Sequence, residues 1–198
     1  MRKMFWAFLG AIVFVIVLPF NSFGNGTAND STPFCEAPPG FEFELEYLTP
    51  LLDKRKIDTL SLNVLKETSN NDHFSFYYGF TITRAWGEIF YHQKTLTSSA
   101  FGIGPVWQMR DNIFQGIHSS LTLDMSVGII LYNEDFPADG RVYNFMWRMG
   151  PKFRYQLTNH LVLNFGYKWM HVSNGHFLGD HNPAYNAGGY SLSLTKKL

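Results

Sequence analysis

A chain of 198 residues is long enough for one domain and too short for two comfortable ones. Its 16 Lys and Arg balance 16 Asp and Glu, so the composition offers no basic footprint for nucleic acid. Cys35 is the single cysteine, which excludes an intrachain disulfide and any CxxC metal or redox motif.

The N-terminus reads as an export signal. Arg2 and Lys3 precede an unbroken apolar run over residues 4–20, and the small residues Ser22 and Gly24 follow at −3 and −1 of a cleavage site. Residues 1–24 are therefore predicted to be a signal peptide. A retained anchor is the alternative, because the run approaches the ~17-residue lower limit for a spanning helix. Residues 25–40 are polar and rich in Pro and Gly, and predict a flexible leader. Cys35 lies in it without the small-residue context of a lipid-attachment site and reads as a free or buried thiol.

From residue 41 to residue 198 the dominant signal is alternation with period two, the mark of strands with one apolar face. Phe41, Phe43, Leu45 and Tyr47 oppose Glu42, Glu44 and Glu46. Weaker alternation follows over residues 58–66. The segment 73–83 sets Phe74, Phe76, Tyr78, Phe80 and Ile82 against small and polar residues. Further strands are predicted over 98–109, 119–132, 142–155, 161–174 and 186–198. Pro105 and Pro151 fall inside two of them, where each lacks a ladder donor and is expected to mark a bulge.

Eight strands joined by polar turns admit two architectures. A soluble lipocalin-like barrel turns its apolar face inward, whereas an outer-membrane barrel turns it to lipid. The apolar set is dense in Phe, Tyr and Trp, as an interfacial girdle requires. The narrower set holds Gly102, Gly104, Gly150, the glutamates of the first strand, Arg148 and Lys152, which suits a small lumen. The sequence thus predicts an all-β fold, an eight-stranded antiparallel outer-membrane β-barrel. In its side-chain-filled lumen, Glu42, Glu44 and Glu46 are expected to pair with Arg148, Lys152 and Arg154. With a periplasmic N-terminus, the seventh strand would end at the extracellular boundary.

That strand carries the chemistry candidates. His171 and Ser173 share the parity of Leu163, Phe165, Tyr167 and Trp169, so both face outward. Residues i and i+2 are about 6.5–7 Å apart at Cα, within side-chain reach of each other. Serine hydrolysis needs such a base, a group that orients the base, and donors for the oxyanion. Asn186 opens the eighth strand and should face outward beside His171. The Asn174 amide or backbone N–H groups at Gly175 could serve the oxyanion. A His-x-Ser pair is a common accident, but a polar pair interrupting a lipid-facing row is costly unless used.

The run Trp169-Met-His171-Val-Ser173-Asn174, then Gly179-Asp180-His181-Asn182-Pro183, then Asn186 before Tyr190-Ser-Leu-Ser-Leu resembles the C-terminal signature of the PagL family of outer-membrane lipid A 3-O-deacylases. The resemblance covers roughly the last thirty residues, the upstream strands matching only in outline. It implies that Ser173 is the nucleophile, His171 the general base and Asn174 part of the oxyanion hole. It further implies metal-free, cofactor-free removal of the 3-linked hydroxyacyl chain from lipid A. The chain departs from the family pattern in three ways. Asn186 stands where the family has a glutamate, with Asp180 the nearest other acid. The stretch after Asn174 is one residue longer, and the C-terminus is Lys-Lys-Leu198.

Lipid A or lipopolysaccharide is accordingly the expected substrate and outer-membrane lipid the expected surrounding, with a homodimer as an open alternative. A zinc site from His171, His176, Asp180 and His181 is the rival chemical reading. A non-catalytic small barrel with a structural or adhesive role is the rival from outside enzymology.

Overall fold

The computed structural model describes residues 40–51, 55–71, 73–91, 93–177 and 182–198. The predicted signal peptide, Cys35 and the rest of the leader before Gly40, Asp180 and His181 lie outside them. Eight strands follow one another: β1 (Gly40–Pro50), β2 (Arg55–Asn70), β3 (Phe74–Tyr91), β4 (Lys94–Gln115), β5 (Ser119–Phe136), β6 (Arg141–Thr158), β7 (Leu161–Ser173) and β8 (Tyr185–Lys197). Each pairs antiparallel with its sequence neighbour, and β1 pairs with β8 from Gly40↔Lys197 to Pro50↔Ala187, which closes the barrel. Closure leaves no edge strand unpaired.

The parity read from the sequence sets inside and outside. Glu42, Glu44 and Glu46 are fully buried, while outward residues such as Phe80 (59% exposed) and Val127 (57%) lie open. A water-soluble barrel would reverse this, so the wall is built to face lipid.

Several strands outrun their predicted bounds. β3 and β4 pair as far as Tyr91↔Lys94, beyond the last clean alternation at Thr83. Past the apolar belt the outward face turns polar or mixed, as at Glu88↔Thr97 and Trp86↔Ser99. The hydrogen-bonded ladder continues there while the hydrophobic period fades.

The prolines correct another expectation. Gly104 and Pro105 have no ladder partners on β5, and Gly150 and Pro151 have none on β7, yet the register is the same on either side of each gap. These are interruptions, not bulges. A Cβ on Gly104 would collide with the Ile129 carbonyl oxygen, and one on Gly150 with that of Tyr167, so each Gly-Pro pair lets the neighbouring strand approach closely. Register shifts occur elsewhere, between Glu67 and Ser69, Asn112 and Phe114, Leu131 and Phe136, and Gln156 and Thr158.

The lumen has two zones. In one, Lys152 Nζ lies 2.8 Å from Glu42, 2.7 Å from Glu44 and 2.8 Å from Asp124. Lys168 Nζ lies 2.6 Å from both Glu44 and Glu46. Arg110 joins Glu42 to Asp124 at 2.9 and 2.8 Å, and Arg148 pairs with Glu46 at 3.2 Å. The expected pairing of strand-one glutamates with Arg148 and Lys152 is present. Arg154 donates to Asn164 Oδ1 at 3.2 Å.

The other zone is apolar. Leu48, Ile57, Ile89, Ile130, Met146 and Val172 are buried inside the barrel with Phe136 and Tyr185, whose rings meet edge-on 5.9 Å apart. Inward residues were expected to be small or charged. At the end where β1 finishes and β8 begins, an apolar plug replaces them.

Removing one partner from a buried ion network leaves uncompensated charge. Lys152→Met is therefore expected to destabilise the barrel by about 3–5 kcal/mol, read from urea unfolding in detergent micelles. A loss below about 1 kcal/mol, the range of isolated exposed pairs, would show that the network contributes little.

Candidate active site

His171, Ser173 and Asn186 come together at the plugged end, on the outer wall. In register, His171 is the direct partner of Asn186 on β8 and of Trp147 on β6, while Ser173 faces Phe145. All three candidates are half-buried. His171 Nδ1 lies 2.8 Å from Asn186 Oδ1. An amide oxygen only accepts, so the contact needs a proton on Nδ1, which in the neutral ring leaves the lone pair on Nε2. That is the tautomer a general base requires.

The strand bearing Asn186 is held from both sides. Besides its pairing to β7, the Leu51 N–H donates to the Asn186 carbonyl at 3.2 Å. Behind the outward residues, Met170, Val172, Tyr185 and Ala187 are buried in the plug. Candidate side chains therefore stand on backbone packed from inside.

Ser173 and His171 share a face as the spacing predicts, but no hydrogen bond joins them among the described residues. After Ser173 the chain makes a tight turn. Phe177 N–H donates to the Asn174 carbonyl at 3.2 Å, with Gly175 (φ 65°) and His176 (φ 54°) both left-handed between them. Such a turn needs positive φ at both central residues, which favours glycine and strains histidine. Tyr143 on β6 donates its hydroxyl to the Phe177 carbonyl, and the two rings stand edge-on at 6.5 Å.

Asn174 takes a different place from the one its neighbourhood suggests. It has inward parity and is 1% exposed; its Oδ1 accepts the His176 N–H at 3.0 Å, and its own N–H donates to Asn182 Oδ1 at 3.0 Å. It organises the turn that presents Gly175. Parity alone carried this signal, since Asn174 continues the inward series of Met170 and Val172. Among the described residues no group of three or more His, Cys, Asp or Glu is arranged to hold a metal ion.

Sequence reasoning missed Trp147 and the groove it borders. The Trp147 indole stacks on the His171 imidazole, centroids 6.0 Å apart and planes 30° apart. Beside it a groove of about 620 Å³ crosses the outer wall, bordered by Tyr78 and Trp107, with Met109, Met125 and Met149 side by side in register. Trp147 sits in the half of β6 nearest the site. Trp107 lies past the midpoint of β4 and Tyr78 close to the far end of β3. Strand tilt thus makes a lateral row descend from the site toward the opposite end of the barrel.

No family model matches the chain, and no curated protein matches it. Among solved structures, the outer membrane enzyme PagL is 13% identical, covering 79% of this chain and 99% of that one with a TM-score of 0.49. The outer membrane protein AlkL, determined in lipid bilayers, is 13% identical, covering 89% and 97% with a TM-score of 0.40.

The turn makes its own prediction. A β-branched residue at left-handed φ is strained where glycine is not. His176→Val should lower the unfolding midpoint relative to His176→Gly, by about 1–2 kcal/mol in stability. Equal midpoints would mean that the turn adds nothing to the stability of the folded barrel.

Proposed function

We propose that this protein is a serine esterase of the outer membrane that removes the 3-O-linked acyl chain from lipid A. The observation that carries the proposal is the 2.8 Å contact of His171 Nδ1 with Asn186 Oδ1 on the lipid-facing wall, beside Ser173 on the same face. In a row that otherwise faces lipid, a base in its active tautomer next to a hydroxyl has a use in ester chemistry and a cost without one.

In the proposed reaction His171 Nε2 takes the Ser173 proton as Oγ attacks the ester carbonyl. The Gly175 backbone N–H, held by the turn that Asn174 organises, meets the developing oxyanion. Collapse of the tetrahedral intermediate expels the sugar hydroxyl, which takes the proton back from the imidazolium. Water, deprotonated by the same imidazole, then releases the fatty acid from Ser173. Asn186 holds the Nδ1–H throughout but brings no negative charge to the imidazolium. With the site at the outer boundary, the ester of a lipid in the outer leaflet lies at its level. The groove runs down from there into the hydrocarbon, where an acyl tail belongs. No metal or cofactor takes part.

One observation favours the rival reading, a non-catalytic barrel with a structural or adhesive role: the Ser173 hydroxyl does not bond His171. Under it, both residues are exchangeable without chemical consequence. Release of hydroxy fatty acid from purified lipid A by the detergent-solubilised protein separates the two. The parent is expected to release it, Ser173→Ala to release none above background, and Asn186→Ala to be slower by roughly 10²-fold. A Ser173→Ala protein as active as the parent would overturn the mechanism.

A further inference from the structure

We infer that Trp147 is the positioning residue for the base, and that its indole links the acyl groove to His171. The inference rests on the esterase reading and goes beyond it, because it assigns part of the orienting work to β6. Asn186 holds the imidazole through one hydrogen bond at Nδ1. A single in-plane contact fixes the tautomer and leaves the ring free to tilt about that bond. Trp147 removes this freedom, since its ring stacks on the imidazole at 6.0 Å and 30° and its backbone is locked to His171 in register.

The stack also answers the missing charge. A carboxylate orienting a histidine stabilises the imidazolium that forms when the base takes a proton. Asn186 is neutral, and the outward residues directly beside His171 in register, Trp147 and Asn186, include no anion. The face of an indole is the strongest aromatic attractor of a cation. Trp147 is therefore the group placed to receive that charge.

Its second role follows from its position at the groove, next to the Met149 end of the methionine row. A hydrocarbon chain lying there packs against the same indole that stacks on His171. Occupying the groove would then press the indole onto the imidazole, so binding energy from the chain is spent on aligning the base. A purely structural tryptophan would matter to folding alone, and a purely lipid-binding one to long substrates alone.

The test measures covalent labelling of Ser173 by a fluorophosphonate with a short alkyl group, which reports nucleophile activation without groove binding, beside one with a long chain. Parent, Trp147→Phe and Trp147→Leu are compared, each shown to be folded by its heat-modifiable gel mobility. Trp147→Leu is expected to label roughly tenfold slower with the short probe, the rate equivalent of a lost aromatic pair. Trp147→Phe, which keeps a stacked ring, should stay within a few-fold of the parent, and the long probe should label the parent faster than the short one does. Short-probe labelling of Trp147→Leu at the parental rate would overturn the inference while leaving the esterase reading intact. So would a Trp147→Phe protein slowed as much as the leucine variant. Absence of labelling in the parent would overturn both.

Discussion

Glu42, Glu44, Glu46 and Asp124 share a closed lumen with Arg110, Arg148, Lys152 and Lys168, and the barrel can turn its apolar residues to lipid only because these groups neutralise one another inside. Alternation forces every second residue inward. A small cylinder has no room for water to solvate them, so each buried charge must find its opposite across the lumen. Shared partners meet that demand, Lys152 touching carboxylates on β1 and β5 and Arg110 bridging the same two strands. Toward the other end the network gives way to the plug of Leu48, Ile57, Val172 and Tyr185. The candidate residues stand on the outside of that packed section. A site mounted on rigid strands and supported from behind is the arrangement precise chemistry needs.

The outer wall at that point departs from its surroundings in a consistent way. A lipid-facing row of aromatic and aliphatic residues is broken by His171, Ser173 and Asn186, and among the described residues the direct register partners of His171, Trp147 and Asn186, carry no charge. The imidazole is held by an amide edge on one side and an aromatic face on the other. The groove begins at that same aromatic residue and descends along the tilt of the sheet. The polar residues at one end of the barrel and the apolar groove running from them thus lie along one line of the outer wall.

Much of this was legible in the residues themselves. Period-two alternation located the eight strands, and parity put Phe80 outside, Glu44 inside, and His171, Ser173 and Asn186 on one face. Antiparallel order was enough to bring Asn186 beside His171. What stayed hidden depends on closure and register. Arg110, Asp124 and Lys168 could be assigned to the inward set, but which carboxylate each meets is decided by the stagger of strands across the lumen. Trp147 looked like one more girdle residue until pairing placed it opposite His171. The reach of β3 to Tyr91 was invisible because Arg84-Ala-Trp-Gly-Glu88 lacks alternation, although its ladder continues. Asn174 can be read two ways. Its adjacency to Ser173 drew attention to the oxyanion, while its even parity pointed into the barrel.

Mass spectrometry of lipid A from a Gram-negative host expressing the parent chain, beside one expressing Ser173→Ala, tests the central claim most directly. Loss of one 3-linked hydroxyacyl mass with the parent alone is the predicted result, and it would mean that an asparagine behind the histidine suffices for the chemistry. Unchanged lipid A, with the parent folded in the outer membrane, would contradict the deacylase assignment.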